Sequence, residues 1–162
     1  MLPRDTFENI VRHTPLVSID LLVTNPRGEI LVGLRRNRPA QDTWFVPGGR
    51  ILKNETIEQA FRRISKAELN LELNFAAAKF RGVFQHRYDE NVFGEGSFGT
   101  HYIVLAFDFH LDVDMVFSPV DLQHREFQWM NAADLLTDPA VHPYVRFYFL
   151  PENSNRRGEI FP

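Results

Sequence analysis

The sequence predicts an α+β fold in which several β-strands are mixed with a few helices. Short segments that alternate apolar and polar residues recur along the chain, which is typical of strands, and one longer segment repeats its apolar residues at helical spacing. The chain has 162 residues, of which 44% are hydrophobic and 24% are charged. That composition and length are usual for a globular protein with a proper core. We therefore expect one folded domain over residues 1–162.

The first part of the chain predicts a β-hairpin. Apolar and polar residues alternate over residues 15–24, as expected for a strand. Residues 25–28 have proline in second place and glycine in fourth place, which indicates a turn. Residues 29–34 then predict the returning strand.

A short strand and a helix are predicted next. The apolar run over residues 44–46 stops at Pro47-Gly48-Gly49, which by itself usually forms only a turn. Residues 54–69 predict a helix with Asn54 as its N-cap and Glu55 in its first turn, on the solvated face.

The second half of the chain predicts further strands, two loops and two short helices. The strands are predicted at residues 80–88, 101–110 and 126–130, the glycine-rich and polar loops at residues 91–100 and 118–125, and the helices at residues 132–136 and 141–150. Asn131 is a suitable N-cap for the first of these helices.

Composition excludes several classes of function. The chain has no cysteine, so it has no disulfide, no catalytic thiol and no cysteine-ligated metal. Its net charge of −3 argues against a basic surface that binds nucleic acid. Residues 1–12 do not resemble a secretory signal, and the longest apolar run, residues 102–107, is too short to span a membrane. We expect a cytoplasmic protein with no nucleic-acid or membrane partner.

One carboxylate falls within the apolar stripe of the predicted helix. At about 100° per residue, a single arc of about 80° contains Ile57, Phe61, Ile64, Glu68 and Leu71. A carboxylate that faces a core is costly unless it is paired or bound to a metal. Glu68 is therefore either a helix-end carboxylate that reaches solvent or a metal ligand or acid–base group.

Fixed spacings connect this helix to the glycines before it. Gly49 is followed after five residues by Glu55 and, after seven more, by Arg63; residues 67–71 then read Ala-Glu-Leu-Asn-Leu. This pattern resembles the Nudix box, G-x5-E-x7-R-E-U-x-E-E-x-G-U, and residues 38–49 resemble the approach to that box. The resemblance implies an α/β/α sandwich with a mixed central sheet. It also implies a magnesium-dependent hydrolase of nucleoside diphosphates linked to another group.

The departures from the box are also informative. Two glutamates of the family pattern are replaced by Ile64 and Ala67, and its late glycine is replaced by Asn70. Within the Nudix family, this altered box is similar to that of the GDP-mannose mannosyl hydrolases. Further matches to that group lie at residues 14–18, 35, 37–41, 85–86 and 122–124.

The resemblance implies one Mg²⁺ ion per subunit. Its protein ligands would be the Gly48 carbonyl, the Glu68 carboxylate and the Gln123 side chain, with diphosphate oxygens completing the coordination. Oxygen ligands of this kind suit magnesium. One carboxylate and two neutral oxygens as ligands leave most of the ion's charge available to stabilise GDP as a leaving group.

With two box glutamates missing, the general base must lie elsewhere. His124 is adjacent to Gln123 on the predicted polar loop, and a histidine can accept a proton from water near neutral pH. Arg35, Arg50 and Arg63 are candidates for neutralising the diphosphate, because guanidinium groups match phosphate geometry.

Four further residues are less specific candidates for contacts with the substrate. Tyr102 either donates a hydrogen bond to phosphate or packs within its strand. Asp20 either contacts a sugar hydroxyl or is exposed to solvent, and His86 is a second candidate for a sugar contact. Phe7 is a candidate for stacking on the nucleotide base, either in its own subunit or across the interface of the homodimer that the resemblance implies.

Three functions are consistent with these residues. The first is hydrolysis of GDP-mannose, and of GDP-glucose, to GDP and the free sugar by water attack at the anomeric carbon. The second is an ordinary Nudix pyrophosphatase that attacks phosphorus, and the third is a non-catalytic domain that binds a nucleotide sugar. The missing glutamates argue against the second, and the retained Glu68 argues against the third.

Overall fold

The structure is a computed structural model that describes residues 2–94, 98–118, 124–154 and 156–162. Its helices are α1 (Arg4–His13), α2 (Ile57–Leu69), α3 (Ala132–Thr137), α4 (Pro143–Phe149) and α5 (Pro151–Ser154), with a 3₁₀ turn at Phe75–Ala77. Its strands are β1 (Leu16–Thr24), β2 (Ile30–Arg35), β3 (Trp44–Phe45), β4 (Gly48–Arg50), β5 (Lys79–Tyr88), β6 (Thr100–His110), β7 (His124–Met130) and β8 (Glu159–Ile160).

The strands form one mixed sheet in the order β3-β2-β1-β6-β5-β8, with β4 also paired to β1 and β7 to β2. Strands β1 and β6 run parallel over the whole length of β1, from the pair Leu16 and Tyr102 to the pair Thr24 and His110. The short strand β4 runs antiparallel to β1 and sets Gly48 opposite Asp20. This pairing joins the glycine segment before α2 to the centre of the sheet.

Helices cover both faces of the sheet. Ile19 and Leu21 of β1 pack with Phe61 of α2 in one core cluster. Leu22 points to the other face and packs with Tyr148 of α4. The fold is therefore the α+β, Nudix-type α/β/α sandwich with a mixed sheet that the sequence predicted.

The central position of β1 corrects one expectation. Alternation suggested that Asp20 lies on a solvated face, but β1 pairs with the three strands β2, β4 and β6, and helices cover both faces of the sheet. Ser18 and Asp20 are buried, with Asp20 only 6% exposed, whereas the apolar Val17 is 44% exposed at the start of the strand. Solvent exposure of Asp20 is therefore wrong.

Helix α2 begins later than predicted. Its N-cap is Thr56, whose side chain accepts a hydrogen bond from the backbone N–H of Gln59 in a capping box. Asn54 has a φ of 71° and belongs to the preceding turn, so it is not the cap. Ile57, at the first helical position, is 44% exposed and does not join the apolar stripe.

Two other local predictions were wrong. Gly48–Arg50 is a strand rather than a turn, because its backbone pairs with β1. His124 and Arg125 belong to β7 and not to a polar loop; His124 is 1% exposed and pairs with Arg35 of β2. The rest of the predicted loop, residues 119–123, lies outside the described residues.

The remaining predicted elements are confirmed to within a few residues, but both ends of the chain were not predicted. The N-terminal helix α1 and, at the C-terminus, α5 and β8 were missed. Among the described residues, no helix is both long enough and apolar enough to cross a membrane.

Candidate active site

A cavity of about 490 Å³ lies among α1, α2 and the strands β1 to β6. Its volume is within the range of small-molecule sites. The structure brings to it most of the residues predicted from the sequence: Phe7, Asp20, Arg35, Gly48, Arg50, Arg63, Glu68, His86 and Tyr102. His124 lies behind Glu68 rather than on the described wall of the cavity, and Gln123 lies outside the described residues.

Two glycines allow β4 to lie close to its neighbours. A Cβ atom on Gly48 would lie 2.7 Å from Oδ1 of Asp20 and from the carbonyl oxygen of Ile19. A Cβ atom on Gly49 would lie 3.2 Å from Cγ1 of Ile64. Side chains at these positions would force β4 away from β1 and α2, so the glycines position the wall that Asp20 and Glu68 share.

A buried polar chain lies at one end of the cavity. The hydroxyl of Tyr148 donates a 2.7 Å hydrogen bond to Oδ2 of Asp20 and lies 3.3 Å from Nε2 of His86. The His86 ring stacks on Tyr144, with 4.2 Å between the ring centroids. Asp20 of β1 and His86 of β5 lie on either side of β6 and share the Tyr148 hydroxyl, and both line the cavity.

Burial changes the titration of both groups. It raises the pKa of Asp20 from its ordinary value of 3.8 to about 7, although the Tyr148 hydrogen bond and the charge of Arg35 act in the opposite direction. Burial lowers the pKa of His86 to about 3, and nearby His142 adds to the effect. At neutral pH the imidazole of His86 is therefore uncharged.

The raised pKa of Asp20 predicts a pH-dependent stability. A carboxyl whose folded pKa exceeds its unfolded pKa stabilises the fold fully below about pH 3.8, and this contribution is lost as the pH rises through about 7. Asp20→Asn cannot ionise. In EDTA, we compare the melting temperature of Asp20→Asn with that of the unsubstituted protein at each pH. We expect this difference to increase in favour of the variant by on the order of 5–10 °C between about pH 4 and pH 8.

The control for this measurement is Asp112→Asn, because Asp112 is exposed. Its melting temperature relative to the unsubstituted protein should be nearly the same at every pH. A melting-temperature difference between Asp20→Asn and the unsubstituted protein that does not change with pH would contradict the raised pKa of Asp20.

Glu68 is 2% exposed and lies beside His124, with 3.2 Å between its Oε2 and Nδ1 of the histidine. The His124 ring packs on Gly33, where a Cβ atom would lie 2.4 Å from Cδ2 of the ring. Among the described residues, Nε2 of His124 has no hydrogen-bond partner although it is buried. Helical periodicity correctly predicted that Glu68 faces the interior.

Arg63 of the box forms hydrogen bonds to other residues of its own chain. Its guanidinium donates two hydrogen bonds to the carboxylate of Glu55 and a 2.8 Å hydrogen bond to the backbone oxygen of Arg50. These bonds tie α2 to the loop that follows β4. Glu55 was predicted to be solvated; it is partly buried, and the Arg63 hydrogen bonds and the backbone N–H of Leu52 hold its carboxylate.

Helix α1 forms one side of the cavity mouth. The guanidinium of Arg50 lies 4.0 Å from the ring centroid of Phe7, and the Phe7 ring packs against Phe93. Arg35 lies 5.8 Å from the centroid of Phe45 and donates a hydrogen bond to the backbone oxygen of Pro39. The cavity therefore combines aromatic faces with guanidinium groups.

A NUDIX-domain family model matches residues 14–150, which is most of the chain. The protein belongs to the Nudix family. A relative from Haloferax volcanii, described as the low-salt glycan biosynthesis protein Agl8, is 37% identical over 147 residues, covering 91% of this chain and 88% of the relative.

Solved structures show the same Nudix fold. A MutT NUDIX hydrolase from Burkholderia pseudomallei matches with a TM-score of 0.68 and 22% identity, over 87% of this chain and 98% of that chain. The NUDIX domain of Shewanella oneidensis NrtR, solved with ADP ribose, matches with a TM-score of 0.63 and 15% identity, over 91% of this chain and 94% of that chain. At sequence identities this low, the similarity to these structures shows a shared fold alone.

The Nudix family generally uses a divalent metal ion, and the residues of this cavity fit one. The described residues contain no cluster of three or more acidic or histidine side chains that could hold a metal alone. Buried Glu68 could supply one hard anionic oxygen ligand, and the backbone of Gly48 lines the same cavity. A magnesium ion here would have to draw on neutral oxygens and on a phosphate-bearing substrate.

Sequence reasoning missed two contacts that shape this Nudix site. Tyr148 and Glu55 hold Asp20 and Arg63 through side-chain hydrogen bonds. Glu55 was already part of the box spacing, which was the available signal for its pairing with Arg63. Tyr148 is separated from Asp20 by 128 positions and carried no motif.

Proposed function

We propose that this Nudix protein hydrolyses GDP-mannose, and also GDP-glucose, to GDP and the free sugar. The bond that breaks joins the anomeric carbon to oxygen, and the sugar configuration inverts. One observation carries the proposal: Ile64 and Ala67 occupy the two altered glutamate positions and both line the cavity, beside Glu68, which is the one box carboxylate among the described residues that line it. Attack at phosphorus in the family usually relies on the glutamates replaced here.

The charge of the cavity suits a diphosphate. Arg35, Arg50 and Arg63 line it, and Arg63 is neutralised by Glu55. The other two guanidinium groups and the hydroxyl of Tyr102 are then available for phosphate oxygens. When bound, one magnesium ion held by Glu68, Gly48 and Gln123 would neutralise negative charge on departing GDP.

Asp20 and His86 would contact the sugar. Both lie on the sheet side of the cavity, and a carboxylate near the anomeric carbon favours the positive charge that develops on the sugar ring. Phe7 at the cavity mouth would stack on the base, and His124 would accept the proton of the attacking water. The glycan-biosynthesis role in the name of the Haloferax relative fits a nucleotide-sugar substrate.

Hydrolysis in ¹⁸O-water distinguishes the candidate reactions. We expect the label in mannose, with β-mannose appearing first in the proton NMR spectrum, and GDP as the unlabelled product. A single displacement by water inverts the anomeric centre once. Label in a phosphate, or GMP as a product, would identify an ordinary pyrophosphatase; binding of GDP-mannose without turnover would identify a binding domain.

Two further measurements test the base preference and the oligomeric state. ADP-sugars tested beside GDP-mannose and GDP-glucose measure the preference for guanine. The homodimer stays a prediction, and light scattering of the purified chain measures it.

A further inference from the structure

Tyr148 contributes one hydroxyl group between two residues of the cavity wall. It belongs to α4, which lies on the face of the sheet opposite α2. Its hydroxyl contacts Oδ2 of Asp20 at 2.7 Å and Nε2 of His86 at 3.3 Å. Tyr148 itself does not line the cavity among the described residues.

The core holds this hydroxyl in a fixed position. Tyr148 is 0% exposed, and its ring packs edge-on against Phe84 with 4.6 Å between the centroids. Its backbone oxygen accepts a hydrogen bond from Arg81, which is itself paired with Asp108. The ring therefore has little freedom to turn away from Asp20 and His86.

Because the Tyr148 hydroxyl has a single hydrogen, its two contacts determine the tautomer of His86. A tyrosine hydroxyl has one hydrogen, and the short contact assigns it to Asp20. The phenol oxygen can then contact Nε2 of His86 favourably only as an acceptor, so Nε2 carries the imidazole proton. Since burial lowers the pKa of His86 to about 3 and keeps the ring uncharged, Nδ1 keeps its lone pair.

The same bond orients the carboxylate of Asp20. Tyr148 engages Oδ2, and Oδ1 is then the oxygen that lies next to Gly48. In the ionised form of Asp20, one phenol thus determines which carboxylate oxygen and which imidazole nitrogen act as acceptors. Sugar hydroxyl groups are donors that match such a pair.

We propose that Tyr148 is a positioning residue for the sugar end of the substrate. Its hydroxyl orients the carboxylate of Asp20 and holds His86 in the Nε2–H tautomer, so that both present acceptors to sugar hydroxyl groups. This inference rests on the proposed function for its catalytic consequence, but its structural part is measurable without any substrate.

The matched pair of variants is Tyr148→Phe and Tyr144→Phe. Both tyrosines lie on α4 and contact the His86 ring, but the Tyr144 hydroxyl bonds only to the backbone of Arg87 among the described residues. ¹⁵N NMR of the imidazole groups, with the His86 signals assigned by their loss in His86→Gln, reports the tautomer. We expect the Nε2–H form in the wild type and in Tyr144→Phe, and a mixture of both tautomers in Tyr148→Phe.

Steady-state kinetics test the consequence. With GDP-mannose, Tyr148→Phe should lower kcat by about 10- to 100-fold, as expected when a supporting hydrogen bond is lost, while KM changes less than about threefold and Tyr144→Phe stays near wild type. An unchanged tautomer or an unchanged kcat in Tyr148→Phe overturns the proposal. So does an Nδ1–H tautomer in the wild type, which decides the question even if Tyr148→Phe does not fold.

The two proposals fail separately. If the wild type does not hydrolyse GDP-mannose, the proposed function is wrong, and the positioning role toward its sugar falls with it. If the wild type is active and the His86 tautomer is insensitive to Tyr148→Phe, only the role of Tyr148 is wrong.

Discussion

Glu68→Gln is expected to lower magnesium-dependent turnover of GDP-mannose by more than about a hundredfold. Glu68 is the one carboxylate of the altered box that lines the described cavity wall, and it is almost completely buried. Glutamine has nearly the same shape, so the fold should persist, but its amide does not supply the negative charge that a magnesium ion requires. The loss should therefore arise from weaker metal binding and not from unfolding.

Two measurements separate these causes. Titration of the protein with Mn²⁺, followed by electron paramagnetic resonance, reports metal binding without turnover, and thermal unfolding reports the fold. Glu58→Gln is the matched control, since Glu58 lies on the same helix in an exposed ion pair with Arg62. Full activity of Glu68→Gln, with unchanged magnesium dependence, would refute the single-ion assignment.

The burial of Glu68 could be predicted from the sequence because it follows from helical periodicity alone. Its neighbours at i−4 and i−7, Ile64 and Phe61, are both core residues of α2. The start of that helix was harder to predict, since both Asn54 and Thr56 are residue types that cap helices. The capping box with Gln59 is what selects Thr56.

The environment of Asp20 could not be predicted from alternation. Alternation distinguishes the two faces of a strand, but it does not tell whether a second helical layer covers the outer face. Here α4 covers that face and brings Tyr148 to Asp20, a contact between residues 128 positions apart. The family resemblance supplied Asp20 and His86 as candidates, whereas their shared hydroxyl partner required the three-dimensional structure.

His124→Leu is expected to lower kcat by about 10² to 10⁴, the range for loss of a general base. The affinity for GDP should change little, because the histidine acts on the attacking water and not on the nucleotide. Measurements at saturating magnesium keep metal binding constant, which matters because Nδ1 of His124 lies 3.2 Å from Oε2 of Glu68. His110→Leu is the control, since His110 lies at the far end of β6 beside Thr24.

The surroundings of His124 offer a sharper test of its role. The ring is 1% exposed and fits over Gly33, so His124→Ala should leave a space about the size of an imidazole. If the ring acts as the base through Nε2, added imidazole should restore part of the kcat of His124→Ala in a saturable manner. It should have no such effect on Glu68→Gln, whose defect lies in the metal site. Near-normal kcat in His124→Leu, or equal rescue of both variants, would show that another group removes the proton from water.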